Sequence, residues 1–359
     1  MKREQIDLPN RPVRVSINGF GRIGRLVARS IVERPQSGLR LVGINELADA
    51  RTMAWLLERD SIHGRLALSV SAHESSIAVG SMRVRVTSEP DPACLLHGAN
   101  RVDIVMECSG RFASRNGAER HLKAGAGRVL IAGPASDADL TIVYGINDDR
   151  LTDEHRIVSN ASCTTNCLAL VAKVLNDEFG IERGLSRTVH GYTSDQQLLD
   201  GYQSDLRRAR SATISMVPVA TRSPEAVCTV LPELSGRLSG SSVRVPAPNV
   251  SLIELIFESA RAASREGVNS ALRRASETPR LKTILDFTDL PLVSSDLNHT
   301  SASATVDGLE TRVSDRKLVR VLSWYDNEWA YAQRMVDTAS AMARTSLIAG
   351  HHPRRGPFA

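Results

Sequence analysis

The chain has 359 residues, which at roughly 100 to 200 residues per domain predicts two domains or one large α/β unit with an insertion. Hydrophobic residues make up 42% and charged residues 24%, as in globular proteins and unlike disordered or membrane-spanning chains. The 45 basic and 40 acidic residues give a net charge of +5. Because the two signs are interspersed, nucleic-acid binding is not favoured, whereas a small anionic substrate suits the balance.

The first part of the chain alternates predicted strands with predicted helices. Residues 1–12 are polar and are expected to form a flexible N-terminal extension. Ile23–Glu33 has the apolar spacing of a helix. Four apolar or β-branched runs are predicted as strands: Val13–Ile17, Leu39–Ile44, Asp103–Glu107 and Arg128–Ala132. We therefore expect an α/β domain over residues 13–160 with a Rossmann, doubly wound parallel sheet.

The second part of the chain has a different character. A polar segment, Ser159–Asn166, leads into the helical run Leu168–Phe179. Longer predicted strands then follow at Arg187–His190, Ser242–Val245, Ser251–Glu258 and Val319–Trp324. We expect a second, α+β domain over residues 161–326 with a mixed, mostly antiparallel sheet. A last helix over 327–346 is expected to pack on the Rossmann domain, and 347–359 is expected to be a flexible tail.

A glycine-rich motif lies between the first predicted strand and the first predicted helix. Asn18–Arg25 contains the spacing G-x-G-x-x-G. Gly19 permits a tight turn, Gly21 lets the backbone approach a pyrophosphate, and Gly24 lets helix and strand pack closely. The motif predicts a dinucleotide site, and the alternative is a glycine-rich turn without a ligand.

Glu46 follows the second predicted strand, 22 residues beyond Gly24. An acidic side chain at this spacing accepts hydrogen bonds from the adenosine ribose of a dinucleotide. Because a carboxylate would repel the extra phosphate of NADP, Glu46 favours NAD as the cofactor. The alternative is a solvated loop glutamate.

The five cysteines are an odd number without zinc-type spacing, so neither a disulfide framework nor a metal site is expected. The N-terminal residues also lack an apolar signal core. We expect a cytoplasmic protein with no membrane partner and one reactive thiol.

Cys163 is the candidate for that thiol, because it lies in a polar segment directly before a helix. A helix N-terminus lowers a thiol pKa and raises the thiolate fraction. Cys167, one turn later, is interpreted as buried packing. His190 ends a predicted strand and could act as the base in covalent aldehyde chemistry. Among nine histidines, however, the residues alone do not select it.

Several longer motifs resemble those of one known family. They are NGFGRIGR at 18–25, SNASCTTNC at 159–167, TVH at 188–190, RVPAPNVS at 244–251 and SWYDNEW at 323–329. With them the chain resembles the glyceraldehyde 3-phosphate dehydrogenase family over about residues 13–345. The resemblance implies a Rossmann domain, a catalytic domain, a terminal helix that returns to the first domain, and a homotetramer.

The resemblance also implies roles for individual residues. Cys163 would attack the aldehyde, and His190 would activate the thiol. Arg22 and Ile23 would line the NAD cofactor, and Asn327 would hold its carboxamide. The substrate and its phosphate would lie among Ser162, Thr164, Arg208, Thr221, Arg222 and Arg244. Guanidiniums and hydroxyls suit a phosphate dianion.

Within that family, other segments look like the erythrose 4-phosphate dehydrogenases. They are INELADA at 44–50, DQQLLD at 195–200, YQSDLRRAR at 202–210, LPLVSSDLNH at 290–299 and the Trp in DNEW at 326–329. The Thr-Gly pair that binds inorganic phosphate in the phosphorolytic enzymes is Thr221-Arg222 here, whereas VLPELSGRLSG at 230–240 resembles the glyceraldehyde enzyme.

The resemblance to the erythrose 4-phosphate dehydrogenases implies NAD-dependent oxidation of erythrose 4-phosphate to 4-phosphoerythronate. The route would run through a thiohemiacetal and a thioester that water hydrolyses, and it would feed pyridoxal 5'-phosphate biosynthesis. Two alternatives stay open. One is a phosphorylating glyceraldehyde-3-phosphate dehydrogenase of glycolysis, and the other is a non-catalytic NAD-binding regulator.

Overall fold

The computed structural model describes residues 11–348, with side chains through Thr345. The rest of the two expected extensions, 1–10 and 349–359, lies outside the described residues. Arg11, near the end of the expected N-terminal extension, forms an ion pair with Asp103 at 2.8 Å. Within the described range the chain divides into two compact units, one containing residues 11–161 and 332–348 and the other residues 162–331.

The first unit is built on a mainly parallel sheet. Its strands are β1 (Val13–Asn18), β2 (Leu39–Asn45), β3 (Arg59–Asp60), β4 (Gly64–Arg65), β5 (Val70–His73), β6 (Ser76–Val79), β7 (Met82–Thr87), β8 (Ile104–Glu107), β9 (Arg128–Ile131), β10 (Leu140–Thr141) and β11 (Ile157–Ser159). Its helices are α1 (Arg22–Glu33), α2 (Ala50–Glu58) and α3 (Arg115–Lys123). The order in the sheet is β10-β11-β9-β8-β1-β2-β7-β6-β5, whereas β3 and β4 form a separate ribbon. The predicted Rossmann fold is confirmed, with an antiparallel edge formed by β5 and β6.

The loops expected to bind a ligand follow the carboxyl ends of the central strands. β1 leads into the glycine loop, β2 into Glu46, and β8 into Ser109. In an open α/β sheet this is the edge at which ligands bind.

A chain of buried polar side chains lies behind this edge. Asn18 Nδ2 donates to Glu107 Oε2 at 2.6 Å, and His121 Nε2 donates to the same oxygen at 2.9 Å. Since Nε2 of His121 donates, its Nδ1 accepts from His97 Nε2 at 3.1 Å. Burial lowers the pKa of His97 to about 4, and the neighbouring His121 adds to the effect. His97 is therefore a neutral member of a network that ends at the glycine loop.

The second unit pairs its helices with one mixed sheet. Its elements are α4 (Cys163–Phe179), β12 (Ile181–Gly191), β13 (Val217–Val219), α5 (Ser223–Val230), β14 (Leu238–Val245), β15 (Ser251–Ser259), α6 (Arg265–Glu277), β16 (Leu285–Thr288), β17 (Ala304–Ser314) and β18 (Leu318–Tyr325). The order is β13-β14-β12-β15-β18-β17-β16. β12 runs parallel to β14 and β16 to β17, and the other pairs are antiparallel. The predicted mixed, mostly antiparallel sheet is confirmed.

The last helix, α7 (Trp329–Ile348), starts two residues later than the expected 327–346 and continues through Ile348, the last residue that the structure describes. Asp326 sets its start, because Oδ1 accepts from the backbone N–H groups of Glu328 and Trp329 at 2.9 and 2.8 Å. From Ala332 onward the helix groups with the first unit. None of the helices in the described range is long and apolar enough to cross a membrane.

We expect His97 to make the stability of the first unit depend on pH. A pKa lowered from about 6.5 to about 4 on folding contributes stability that is present above about pH 6.5 and is lost as the pH falls toward 4, on the order of 3 kcal/mol at full effect. His97→Gln should therefore lose less thermal stability between pH 7 and 4.5 than the wild type, by scanning fluorimetry. His73→Gln, at an exposed histidine, is the control. An equal acid loss in His97→Gln and the wild type would contradict this role.

Candidate active site

The thiol of Cys163 belongs to the first residue of α4. Ser162 is the N-cap, and its Oγ accepts from the backbone N–H of Thr165 at 3.0 Å. The residue before the cap, Ala161, has φ of +54°, in the left-handed region that non-glycine residues rarely adopt. The polar segment Ser159–Asn166 therefore determines where α4 begins, and it places Sγ of Cys163 at the N-terminus of that helix.

His190 meets this thiol from the neighbouring strand. Its Nε2 lies 3.6 Å from Cys163 Sγ. His190 and Arg244 are partners in the parallel register of β12 and β14, and Arg244 NH1 lies 2.7 Å from His190 Nδ1. The structure thus brings three of the sequence-predicted site residues into direct contact.

The pair, in which His190 is buried and Cys163 is half-buried, carries no net charge at rest. Burial, followed by the charge of Arg244, lowers the pKa of His190 to about 4. Burial raises the pKa of the Cys163 thiol, against opposing effects of Arg244 and of hydrogen bonding to Thr164. The sequence expectation of a lowered thiol pKa is therefore wrong in direction, because desolvation of the thiolate outweighs the helix end. At neutral pH the site holds a thiol beside a neutral imidazole.

Tyr325, which the sequence analysis did not select, supports this pair. Its hydroxyl shares a 2.9 Å hydrogen bond with Thr164 Oγ1. Its ring stands edge-on to the imidazole of His190, with centroids 6.0 Å apart. Thr164, a predicted substrate contact, thus has its hydroxyl engaged by a buried tyrosine. The only sequence signal was the place of Tyr325 within the segment SWYDNEW.

Arg208 is connected to the site by Asp195, an acidic residue that the sequence analysis did not select. Its NH1 pairs with Asp195 Oδ2 at 2.6 Å. The charge of Asp195 acts on His190, and the charges of Arg208 and Arg244 both act on Asp195. Asp195 therefore links the two arginines and the imidazole electrostatically.

Thr221 and Arg222 lie where β13 leads into α5. Thr221 Oγ1 accepts from the backbone N–H of Ser223 at 3.2 Å. Arg222 is the N-cap residue of α5, with an exposed side chain that makes no ion pair or side-chain hydrogen bond with the residues that the structure describes. β13 pairs with β14 such that Val217 faces Arg244. Among the described residues, neither a hydrogen bond nor an ion pair joins Arg222 to Cys163 or His190.

Asn327 is held in a buried position by β15. Its Oδ1 accepts from Ser251 Oγ at 2.9 Å, which orients the side-chain amide and leaves the donors of Nδ2 for another partner. The neighbouring Asp326 is tied to Asn249 Nδ2 at 2.9 Å. The asparagine amide therefore has a defined direction.

The glycine loop of the first unit is shaped by steric limits. A Cβ on Gly19 would lie 2.4 Å from the backbone of Ser109, and a Cβ on Gly24 would lie 2.1 Å from the carbonyl oxygen of Gly19. By contrast, no described atom lies within 4 Å of the Cβ position of Gly21. Two glycines are thus required by packing, and the third borders open space at the N-terminus of α1.

Glu46 lies directly across from this loop. Its Oε2 accepts from the backbone N–H of Phe20 at 2.7 Å, and its Oε1 accepts from Leu47 at 2.8 Å. Arg22, the first residue of α1, directs its guanidinium to Asp60 at 2.6 Å, and Ile23 beside it is half-buried. A cavity of about 190 Å³ opens beside the loop, and its lining includes Gly19, Gly21, Glu46, Pro90, Ser109 and Arg111. The exposed Arg111 was not found from the sequence.

Comparisons with known proteins agree with this architecture. Residues 13–115 match the NAD binding domain of glyceraldehyde 3-phosphate dehydrogenase, and residues 162–327 match its C-terminal domain. The glyceraldehyde-3-phosphate dehydrogenase of Xanthobacter flavus is 52% identical over 332 residues, which are 92% of this chain and 99% of that protein. Those of Zymomonas mobilis and Geobacillus stearothermophilus are 51% and 48% identical, each over 93% of this chain and 99% of their own. The chain belongs to the glyceraldehyde 3-phosphate dehydrogenase family.

Proposed function

We propose that this protein oxidises glyceraldehyde 3-phosphate with NAD, through a covalent adduct on Cys163 and with inorganic phosphate as the second nucleophile. The 3.6 Å contact between Cys163 Sγ and His190 Nε2 supports the covalent chemistry. The choice of substrate rests on the relatives of about 50% identity that carry this enzyme name. It is the phosphorylating, glycolytic alternative that the sequence left open.

Cys163 and His190 together carry out the addition of the thiol to the aldehyde. Sγ of Cys163 forms a bond to the aldehyde carbon, its proton passes to Nε2 of His190, and the carbonyl becomes an alkoxide that the protonated imidazole stabilises. NAD, when bound, supplies the acceptor for the hydride that leaves this carbon. Phosphate then attacks the thioester carbon, the C–S bond breaks, and the sulfur leaves as a thiolate that takes its proton back from Nε2 of His190. Because His190 is neutral at rest, it is ready as a base at neutral pH.

NAD is the cofactor of this family's first domain, and the residues present fit it. Gly21 at the N-cap has no side chain, and open space surrounds the position that its Cβ would occupy at the start of α1, beside Arg22 and Ile23. A pyrophosphate would fit there, at the N-terminus of the helix. Glu46 would accept from the adenosine ribose. Asn327 would offer Nδ2 to the carboxamide.

Arg244 and Arg208 are the best candidates to bind the substrate phosphate. Arg244 is half-buried and contacts His190, so an anion bound to it would lie close to the reacting thiol. Arg208 is tied to Asp195 and would have to exchange that partner for the phosphate. Thr221 adds a hydroxyl just beyond β13, the strand that pairs with the strand of Arg244. The hydroxyls of Ser162 and Thr164 already serve as the helix cap and the partner of Tyr325.

Erythrose 4-phosphate, oxidised to 4-phosphoerythronate for pyridoxal 5'-phosphate biosynthesis, is the second candidate substrate. The observation in its favour is Arg222, an exposed cation at the start of α5. A guanidinium there could clamp the phosphate of a substrate one carbon longer, or fill the place of inorganic phosphate so that water becomes the nucleophile. A non-catalytic regulator is a weaker third candidate, since it would not need the contact between Cys163 and His190.

A homotetramer in the cytoplasm is part of the proposal. The segment 198–216 of the second unit presents large apolar side chains to solvent, among them Tyr202 at 95% and Leu206 at 82% exposed. Apolar surface of this kind is typical of a protein interface, and further copies of the chain would cover it.

We expect Cys163→Ala to lower turnover by several orders of magnitude with NAD affinity unchanged, because the covalent route is lost. His190→Asn should lower the chemical step by about 10²- to 10⁴-fold and slow alkylation of Cys163 at neutral pH. Steady-state kinetics, NAD titration and iodoacetamide labelling give these values. Cys94→Ala, at an exposed cysteine, is the control. Retained turnover in Cys163→Ala would remove the covalent mechanism.

The glycine loop gives a prediction that separates folding from cofactor binding. Gly21→Ala should keep the melting temperature of the wild type but weaken NAD binding by about tenfold or more, because its methyl group enters open space. Gly24→Ala should lower the melting temperature, because its methyl group meets the carbonyl oxygen of Gly19. Calorimetric NAD titration and thermal unfolding test both. Unchanged NAD affinity in Gly21→Ala would place the pyrophosphate elsewhere.

Arg222→Gly distinguishes the two candidate substrates. If glyceraldehyde 3-phosphate is the substrate, its kcat/KM should exceed that of erythrose 4-phosphate and require inorganic phosphate. Arg222→Gly should then change it by at most about fivefold, since a solvated surface charge contributes about 0 to 1 kcal/mol. Two results together would select erythrose 4-phosphate as the substrate. The wild type would have a higher kcat/KM for erythrose 4-phosphate than for glyceraldehyde 3-phosphate, and Arg222→Gly would raise the KM for erythrose 4-phosphate by more than about tenfold.

A further inference from the structure

A second cavity lies in the first unit, apart from the glycine loop. Its volume is about 260 Å³, compared with about 190 Å³ for the cavity beside the loop. Of the residues that line it, only Glu89 also lines the cavity beside the loop. An apolar cavity of about 150 Å³ is large enough to hold benzene. The second cavity therefore has room for a six-membered ring with substituents.

A missing side chain on the middle one of three strands forms the floor of this cavity. Ser16 on β1, Gly43 on β2 and Arg85 on β7 are partners in the parallel register. A Cβ on Gly43 would lie 3.0 Å from Ser16 Oγ, so the space beside this hydroxyl exists because Gly43 has no side chain. β1 and β7 are two strand spacings apart, about 10 Å. The floor is thus a slot between a hydroxyl and a guanidinium.

Two buried polar atoms of the lining residues have no partner. Ser16 is 6% exposed, and its Oγ makes no hydrogen bond with the described residues. His97 is 3% exposed, and its Nε2 donates to His121 Nδ1 at 3.1 Å. Within the described part of the chain, Nδ1 of His97 has no partner. Because proteins satisfy nearly all of their buried polar groups, these two atoms require a partner from inside the cavity.

The state of His97 determines the chemistry of that partner. Burial lowers the pKa of His97 to about 4, so at neutral pH the ring is uncharged and Nδ1 can only accept a hydrogen bond. The partner must therefore present an N–H or O–H group. The remaining walls of the cavity are largely apolar, with side chains from Val42, Leu95, Leu96 and Val102. An apolar ring that carries one donor matches this lining.

Arg85 adds a positive charge to the same cavity. Its side chain is exposed and lies 3.4 Å from Asn100 Oδ1, a long hydrogen bond. An adjoining surface depression is lined by three further arginines, Arg14, Arg40 and Arg83. Two carboxylates lie among these cations, Glu74 in the depression and Glu89 in the cavity. The four guanidiniums outnumber them, so an anionic group is attracted to this side of the cavity.

We propose that this cavity is a ligand site for a small aromatic acid. The ring lies in the slot over Gly43, an O–H or N–H group on the ring donates to Nδ1 of His97, and the carboxylate pairs with Arg85. Ser16 Oγ has room to bond the same ligand from the floor. This site goes beyond the proposed function, and it contains neither Cys163 nor His190.

Calorimetric titration of the NAD-saturated, full-length protein tests the site with three probes. 4-Hydroxybenzoate carries the donor and the carboxylate, benzoate lacks the donor, and phenol lacks the carboxylate. We expect 4-hydroxybenzoate to bind with a Kd of about 1 mM or lower, and the other two to bind about threefold to tenfold more weakly. Saturation with NAD keeps the probes out of the cofactor cavity. No binding of 4-hydroxybenzoate, or equal affinity for benzoate or phenol, would overturn the proposal.

Arg85→Gln and Arg83→Gln form a matched pair of variants. Both remove an exposed arginine of β7, but only Arg85 lines the cavity. We expect Arg85→Gln to weaken binding of 4-hydroxybenzoate by about tenfold and Arg83→Gln to change it by less than about twofold. Both variants should keep the melting temperature of the wild type. Equal weakening in the two variants would indicate binding by diffuse surface charge and would contradict the site.

Nitrogen NMR with 15N-labelled histidine reads the contact with His97, whose signals are assigned by their absence in His97→Gln. 4-Hydroxybenzoate should shift the Nδ1 signal, and benzoate should shift it less. An Nδ1 signal that 4-hydroxybenzoate does not move would contradict the assigned donor. None of these measurements depends on which aldehyde is oxidised. If the kinetics rejected both candidate substrates, the ligand site would stand, and if no aromatic acid bound, the proposed function would stand.

Discussion

The second unit is arranged around the 3.6 Å contact between the thiol of Cys163 and the imidazole of His190, both of which are uncharged at neutral pH. Burial makes either charged form costly, so the proton has to move directly between two atoms held close together. Sγ belongs to Cys163, the first residue of α4, and Nε2 belongs to His190, near the end of β12. Around them, Thr164, Tyr325 and Arg244 offer hydrogen bonds that a purely apolar pocket would lack.

The first unit is constrained instead by the close packing of backbone segments around the glycine loop. Gly19 and Gly24 are required because the loop packs against β8 and against itself at distances that admit no Cβ. The carboxylate of Glu46 accepts hydrogen bonds from two backbone N–H groups, that of Phe20 in the loop and that of Leu47 in its own segment. The buried series from Asn18 through Glu107 to His97 keeps the strand ends behind the loop in place. The cofactor edge is thus built from packing limits and satisfied polar groups.

Local sequence was sufficient where chemistry and conformation share a short segment. The glycine spacing, the polar run before α4 and the β-branched strands each have a direct physical meaning, and the fold class followed from them. The start of α4 was placed late, at Leu168, because its first turn is small and polar and lacks an apolar period. The capping role of Ser162 explains the five additional residues.

Contacts between distant residues could not be predicted in this way. Arg244 meets His190 because β12 and β14 pair in parallel register, and Tyr325 meets Thr164 from a strand near the end of the unit. The direction of the thiol pKa depends on how much protein surrounds the sulfur, which composition does not reveal. Substrate choice is harder still, since Arg222 is exposed and its surroundings do not restrict where its guanidinium goes.

The discontinuous first unit has a consequence for how the protein is made. Helix α7 completes this unit through Arg34 to Asp337 at 2.6 Å, Thr338 to Asn160 at 2.7 Å, and Arg128 to the carbonyl oxygen of Met342 at 2.6 Å. Because a ribosome releases the chain from its N-terminus, the nascent Rossmann sheet waits for these partners until the second unit has been synthesised. Contacts spanning about 180 to 300 residues in sequence also slow folding. During that interval the residues of the first unit that later contact α7 stay accessible to solvent and to chaperones.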